Sequence, residues 1–81
     1  MVDVHTEVTG TNFPYEWYHN DIFIDGVKCG SAHYDKKQGL LIGGVEFLGK
    51  KSKNFYHPDI SGIERKVKEF ADKVRKEVWK P

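Results

Sequence analysis

Hydrophobic and polar residues alternate with a period of two along the first half of the chain. The alternation begins at Val2 and fades near Gly10, which predicts a short first strand. It returns in residues 17–24, 27–34 and 40–48. The sequence therefore predicts three longer strands after the first one.

Turn residues separate these strands. Asp25-Gly26 is a strong signal for a two-residue type I′ hairpin turn, and residues 35–39 suit a longer hairpin loop. If Ile24 faces Val27 and Tyr34 faces Leu40, an antiparallel meander has one apolar face. That predicted core face contains Ile22, Ile24, Val27, Cys29, Leu41, Val45 and Phe47.

The same register predicts the composition of the second sheet face. Small residues form a low centre there, and Lys28 faces Glu46 as a cross-strand ion pair. The predicted second face contains Trp17, His19, Asp21, Phe23, Lys28, Gly30, Ala32, Tyr34, Leu40, Ile42, Gly44 and Glu46.

The pattern changes from a period of two to helical spacing in the last third of the chain. Ser61 and Glu64 fit a capping box, which predicts an amphipathic helix over about residues 62–79. Its apolar stripe comprises Ile63, Val67, Phe70, Val74 and Val78. The predicted fold is α+β, an antiparallel three- to four-stranded meander with this C-terminal helix packed on one face.

Charge divides at the same boundary. Residues 1–48 carry three basic and seven acidic side chains, whereas residues 49–81 carry ten basic and five acidic ones. We expect a single domain over residues 1–81, with an acidic sheet part, a basic loop at 49–58 and a helical part from 59 to 81.

Several function classes receive little support. The single cysteine, Cys29, excludes an internal disulfide and is expected in the core, where a thiol is inert. No apolar run is long enough for a membrane span, no signal peptide is recognisable, and the expected location is the cytoplasm. The predicted register places His19 and His33 on opposite faces of the sheet, which argues against a metal ion bound by both. No catalytic or cofactor motif is present, so we expect no metal, no cofactor and no enzymatic activity.

Protein binding through the second sheet face is the first functional hypothesis. A partly apolar surface rimmed by aromatic side chains is typical of a protein interface, although the N-terminal segment could instead fold back over this face, with the small residues making room. The chain would act as an inhibitor, adaptor or regulator, and its size and lack of motifs suggest a phage or mobile element as the source. A homodimer is also compatible. The predicted partner-binding residues are Trp17, Asp21, Phe23, Lys28, Tyr34, Ile42 and Glu46.

Nucleic-acid binding through the basic loop and helix is the alternative. Cations beside aromatic rings can bind the phosphates of a nucleic-acid strand and stack on its bases. Phe55 and Tyr56 could equally well pack at the bottom of the core, where the chain enters the helix. Acid-before-base pairs spaced four residues apart would also explain the helix charges as a solvated face. The residues of this alternative are Lys50, Lys51, Lys53, Phe55, Tyr56, Arg75 and Trp79.

The predicted topology over about residues 17–79 resembles the DNA-binding domains of plant AP2-type factors and the arm-binding domains of integrases. It also resembles part of the double-stranded RNA-binding fold. The resemblance implies binding through a basic, aromatic sheet face. This chain departs from that pattern, because its predicted face carries Asp21 and Glu46 against a lone Lys28.

Overall fold

The computed structural model describes residues 2–11 and 18–78, which form an antiparallel sheet and one helix. β1 to β4 follow one another as a meander, and β5 and β6 both pair with β4. The α+β meander with a C-terminal helix is thus confirmed, with more strands than the three or four expected. The elements are β1 Val4–Thr11, β2 Tyr18–Ile24, β3 Val27–Asp35, β4 Leu40–Phe47, β5 Lys50–Lys51, β6 Phe55–His57 and α1 Ile60–Val78.

The predicted loop at 49–58 contains β5 and β6. Leu48 and Gly49 have positive φ angles of 51° and 79°, as Asp25 and Gly26 do at the first hairpin turn, so the chain reverses tightly after β4. Ser52 then exchanges hydrogen bonds with Val45, donating its backbone N–H and accepting through Oγ. The turn was missed because leucine is rare at a positive φ angle.

A β-bulge in β3 changes the predicted register. Ile24 faces Val27 as expected, but Ile22 faces Gly30 instead of Cys29, because Cys29 is an extra residue in β3. Every later residue of β3 is consequently displaced by one position. Tyr34 faces Leu41, not Leu40.

The core lies between the sheet and α1. Five of the predicted core residues are buried there, namely Ile22, Ile24, Leu41, Val45 and Phe47. Val27 was assigned to the core wrongly: it follows the hairpin turn and is 63% exposed. Cys29 is half-buried and packs against the edge of the core.

The helix begins earlier than the capping box predicted. The carbonyl of Asp59 accepts the backbone N–H groups of Gly62 and Ile63, so Asp59 is the N-cap residue and Ser61 lies in the first turn. Glu64 accepts a hydrogen bond from the Thr6 hydroxyl, at 2.9 Å, in place of a contact to the cap.

The apolar stripe of α1 largely follows the predicted spacing. Ile63, Val67 and Val74 are buried, together with Ala71. Val78 is 47% exposed at the end of the helix, contrary to the prediction. Within residues 2–11 and 18–78, no helix has the length and apolar character needed to cross a membrane.

Candidate binding surface on the open face of the sheet

One face of the sheet is left uncovered by α1, and we call it the open face. Residues on it are identified by cross-strand pairing and by alternation with the buried core positions. Its larger side chains belong to His5, Glu7, His19, Asp21, Phe23, Lys28, His33, Leu40, Ile42, Glu46 and Tyr56.

An apolar row crosses one end of the open face. His33, Ile42 and Tyr56 are consecutive cross-strand partners on β3, β4 and β6. Leu40 lies two positions before Ile42 on the same strand, and both are half-buried, while Tyr56 is 49% exposed. This row is continuous apolar and aromatic surface of the kind that proteins bury in interfaces.

A second aromatic contact lies on the β1 side of the open face. The rings of His5 and Phe23 are stacked, with centroids 4.7 Å apart and planes 2° from parallel. The two residues are direct cross-strand partners. The stack gives this part of the sheet a flat, preorganised surface.

A polar group separates the two aromatic regions. The Asp21 carboxylate lies 3.4 Å from Nζ of Lys28 and 3.5 Å from Nε2 of His19. Its side chain is only 15% exposed. Lys28 therefore pairs with Asp21 instead of the predicted Glu46, a difference that follows from the bulge at Cys29.

The histidines are arranged differently from the prediction. His19 and His33 face each other directly across β2 and β3, whereas the sequence placed them on opposite faces. In the described part of the chain, no group of three or more His, Cys, Asp or Glu side chains is placed to hold a metal ion.

The structure brings most of the predicted partner-binding residues together. Asp21, Phe23, Lys28, Ile42 and Glu46 all lie on the open face. Trp17 lies outside the described residues.

Tyr34 is the exception among these residues, because the bulge turns it to the helix face. There it stacks on Tyr18, with ring centroids 5.2 Å apart, and packs against the core. Burial raises the pKa of Tyr18, and the nearby Tyr34 and Asp59 add to this.

The predicted low centre of this face is also changed. Gly30 and Ala32 lie on the helix face, in register with the buried Val45 and with Gly43. Gly44 remains on the open face, where Ser52 and Asn54 lie near its Cα. The uncovered surface is therefore flatter than expected.

The residues of the nucleic-acid alternative are dispersed. Lys50, Lys51 and Lys53 are exposed on and after β5. Phe55 packs edge-on against Phe70, with centroids 6.2 Å apart, at the margin of the core. Tyr56 joins the open face, as described above.

The two helix residues of this alternative do not extend the lysine patch. Arg75 forms an ion pair with Asp25 at the first hairpin turn. Trp79 lies outside the described residues. Of the residues predicted to bind nucleic acid, the three lysines are therefore the ones that lie side by side.

A cavity of about 410 Å³ opens between the two tight turns and the end of α1. Its wall includes Cys29, Phe47, Leu48 and the Asp25–Arg75 ion pair. The pKa of Asp25 lies below its usual range because its carboxylate accepts the backbone N–H of Asp3, and Arg75 adds to this.

Cys29 provides a test of this part of the structure. Burial raises the pKa of its thiol, and the nearby Asp25 carboxylate acts in the same direction. The folded protein should therefore react with iodoacetamide more slowly at pH 7 than the urea-unfolded chain, with its rate rising only at a higher pH. Equal rates in the two states, followed by mass spectrometry, would contradict this placement of Cys29.

Sequence reasoning missed His5, His33 and Tyr56 as members of the open face. The alternation around Val4 predicted a strand but did not say which strand it would pair with. His33 was assigned to the other face because the bulge was not foreseen. Tyr56 was missed because it lies on β6, a short strand within the segment predicted to be a loop. Glycine inside a strand often marks a bulge, but Gly30 shares that signal with Gly43 and Gly44, which the sequence made the candidates for a bulge or close packing.

Comparison with known proteins adds no relative to this picture. No family model matches the chain, and neither a curated protein nor a solved structure is significantly similar to it. The functional argument therefore depends on the surface itself.

Proposed function

We propose that this chain is a small, non-enzymatic protein-binding domain that holds a partner protein on its open face. The row of His33, Ile42 and Tyr56 is the observation that carries the proposal. Among the described residues α1 packs against the opposite side of the sheet, and Tyr56 in this row is 49% exposed. An inhibitor, adaptor or regulator in the cytoplasm would use such a surface.

The charges of the open face favour a particular kind of partner. Asp21 is neutralised by Lys28, and Glu46 faces Lys51 on β5. Glu7 remains without an ion pair in the described residues and faces Asp21 across the strands. We therefore favour a partner protein whose contact surface is apolar at its centre and carries basic side chains at its rim, opposite Glu7. A nucleic acid does not match this surface, because its phosphates are negatively charged.

Nucleic-acid binding remains the second candidate, because three exposed lysines lie close together. Lys50 and Lys51 form β5, and Lys53 follows them. Lys51 pairs with Glu46 of the open face, but none of the three lysines belongs to the row of His33, Ile42 and Tyr56, so the two proposals predict different effects of mutation. Binding that depends on phosphate contacts would fall steeply with added salt.

The decisive variant is Ile42→Ala combined with Tyr56→Ala. We expect it to weaken capture of the partner about thirtyfold, as loss of central interface residues typically does. Capture would be measured with tagged protein in lysate of the native host, with nuclease and across a salt series. A thermal melt would verify that the variant still folds.

Lys68→Ala with Lys73→Ala is the matched control, since both lysines are exposed on α1. A captured protein that survives nuclease, binds the control and is lost from the open-face variant would support the proposal. A protein captured equally by the open-face variant would place the interface elsewhere. Recovery of nucleic acid, lost after Lys50→Ala with Lys51→Ala, would favour the second candidate.

A further inference from the structure

β1 forms one edge of the sheet in the described part of the chain. It pairs with β2 on its inner side, and no other strand of the described residues contacts its outer edge. The strand is eight residues long and carries Val8, which is 65% exposed. An accessible edge of this length readily accepts another strand.

The hydrogen bonds at the start of β1 show which backbone groups face outward. The carbonyl of Asp3 accepts the N–H of Asp25, and the N–H of Asp3 reaches the Asp25 side chain. Asp3 therefore points toward β2. Because backbone direction alternates along a strand, Val4, Thr6 and Val8 direct their N–H and C=O groups outward.

We propose that β1 pairs antiparallel with β1 of a second copy of this chain, about a two-fold axis at Thr6. Thr6 then faces Thr6 of the second copy, and Val4 faces Val8 of the second copy. Both are pairs of outward-directed residues, so the ladder forms without rearrangement of β1. This inference concerns the sheet edge and does not depend on the proposed use of the open face.

Side-chain pairing on the open-face side distinguishes this register from its neighbours. In it, His5 lies opposite Glu7 of the second copy on the open-face side, and the contact occurs twice by symmetry. Moving the axis by one residue places His5 against His5, or Glu7 against Glu7. If one strand slides by a single residue, residues whose backbone N–H and C=O groups point outward face residues whose groups point inward. The hydrogen bonds between the two copies are then lost.

Two features of the single chain are resolved by this pairing. Val8 is an exposed apolar residue on the helix side of the sheet, and the second copy places Val4 against it. Glu7 faces the like-charged Asp21, and the second copy brings His5 beside it. The two sheets become continuous, with both helices on the same side.

Sedimentation of the full chain over a range of concentrations tests the dimer. An edge contact buries less than the standard interface of about 1,600 Å², so we expect a dissociation constant on the order of 10–100 µM. Val8→Pro removes an outward N–H and should weaken the dimer at least tenfold without changing the circular dichroism spectrum. Val8→Thr keeps that N–H and loses only part of the contact with Val4, so it should weaken the dimer far less than Val8→Pro.

A charge-complementation experiment tests the register. His5→Glu and Glu7→Lys should each weaken self-association. A mixture of the two variants should form heterodimers, because the introduced glutamate of one chain then lies opposite the introduced lysine of the other. Heterodimers in the mixture would establish the register. A monomer up to millimolar concentration, a dimer insensitive to Val8→Pro, or a mixture without heterodimers would overturn the proposal.

Discussion

Gly30→Ala is expected to lower the free energy of unfolding by about 2–3 kcal/mol, although it adds a single methyl group. A Cβ at this position would overlap the carbonyl oxygen of Gly44 and lie 2.8 Å from Cα of Val45. These are backbone atoms of the neighbouring strand, so no side chain can rotate to make room. The β3–β4 ladder would have to shift beside the bulge.

Urea unfolding followed by fluorescence measures this loss, and Gly44→Ala is the matched control. A Cβ on Gly44 would meet the side chains of Asn54 and Ser52 at 3.5 Å, which is ordinary contact. We expect the control to change stability by less than about 0.5 kcal/mol. Equal effects of the two substitutions would mean that the two strands are not packed as described.

The contrast between these two glycines shows what the sequence could predict. Both were expected on the same face, because the alternation was continued without interruption from the Asp25-Gly26 turn. The turn does fix the pairing of Ile24 with Val27. Beyond it, the extra residue at Cys29 leaves Gly44 on the open face but moves Gly30 to the helix side.

The bulge could not be located from the residue pattern alone. The stretch after Cys29 contains small and amphipathic residues, which are compatible with either face. The close backbone approach at Gly30 is a tertiary contact and becomes visible only when β4 is in place. Because the bulge was not foreseen, Tyr34 was assigned to the wrong face of the sheet. For the same reason the sequence did not predict that His19 and His33 face each other.

The candidate surface was predicted best where one strand carries the pattern. Asp21 and Phe23 on β2, and Ile42 and Glu46 on β4, keep the face expected for them. The contribution of β1 was missed, since strand pairing is a long-range property. Its position beside β2 places His5 on Phe23 and leaves the free edge on which the dimer proposal depends.

The helix illustrates a different limit. Apolar spacing identified its buried face, but Ser61 and Glu64 imitated a capping box that the structure does not form. Asp59 occupies the cap position, and its backbone N–H donates to Nδ1 of His57 at 3.0 Å. The start of the helix is thus determined by the contact between β6 and the first turn.

That contact makes Gly62→Ala the second substitution with a large expected effect. Alanine is favoured over glycine in a helix by about 1 kcal/mol, so the change would stabilise an unconstrained helix. Here the new Cβ would overlap the imidazole ring of His57. We expect a net loss of about 2 kcal/mol, because the ring must leave its position beneath the first turn.

A double-mutant cycle measured by urea unfolding separates the clash from the helix propensity. His57→Ala removes the ring, so Gly62→Ala made in that background should cost little or should stabilise. The coupling between the two changes should be about 1–3 kcal/mol. Ser61→Ala, at an exposed position in the same turn, should be nearly neutral, since Ser61 does not cap the helix. If Gly62→Ala costs the same with and without His57, the imidazole ring is not what keeps this position a glycine.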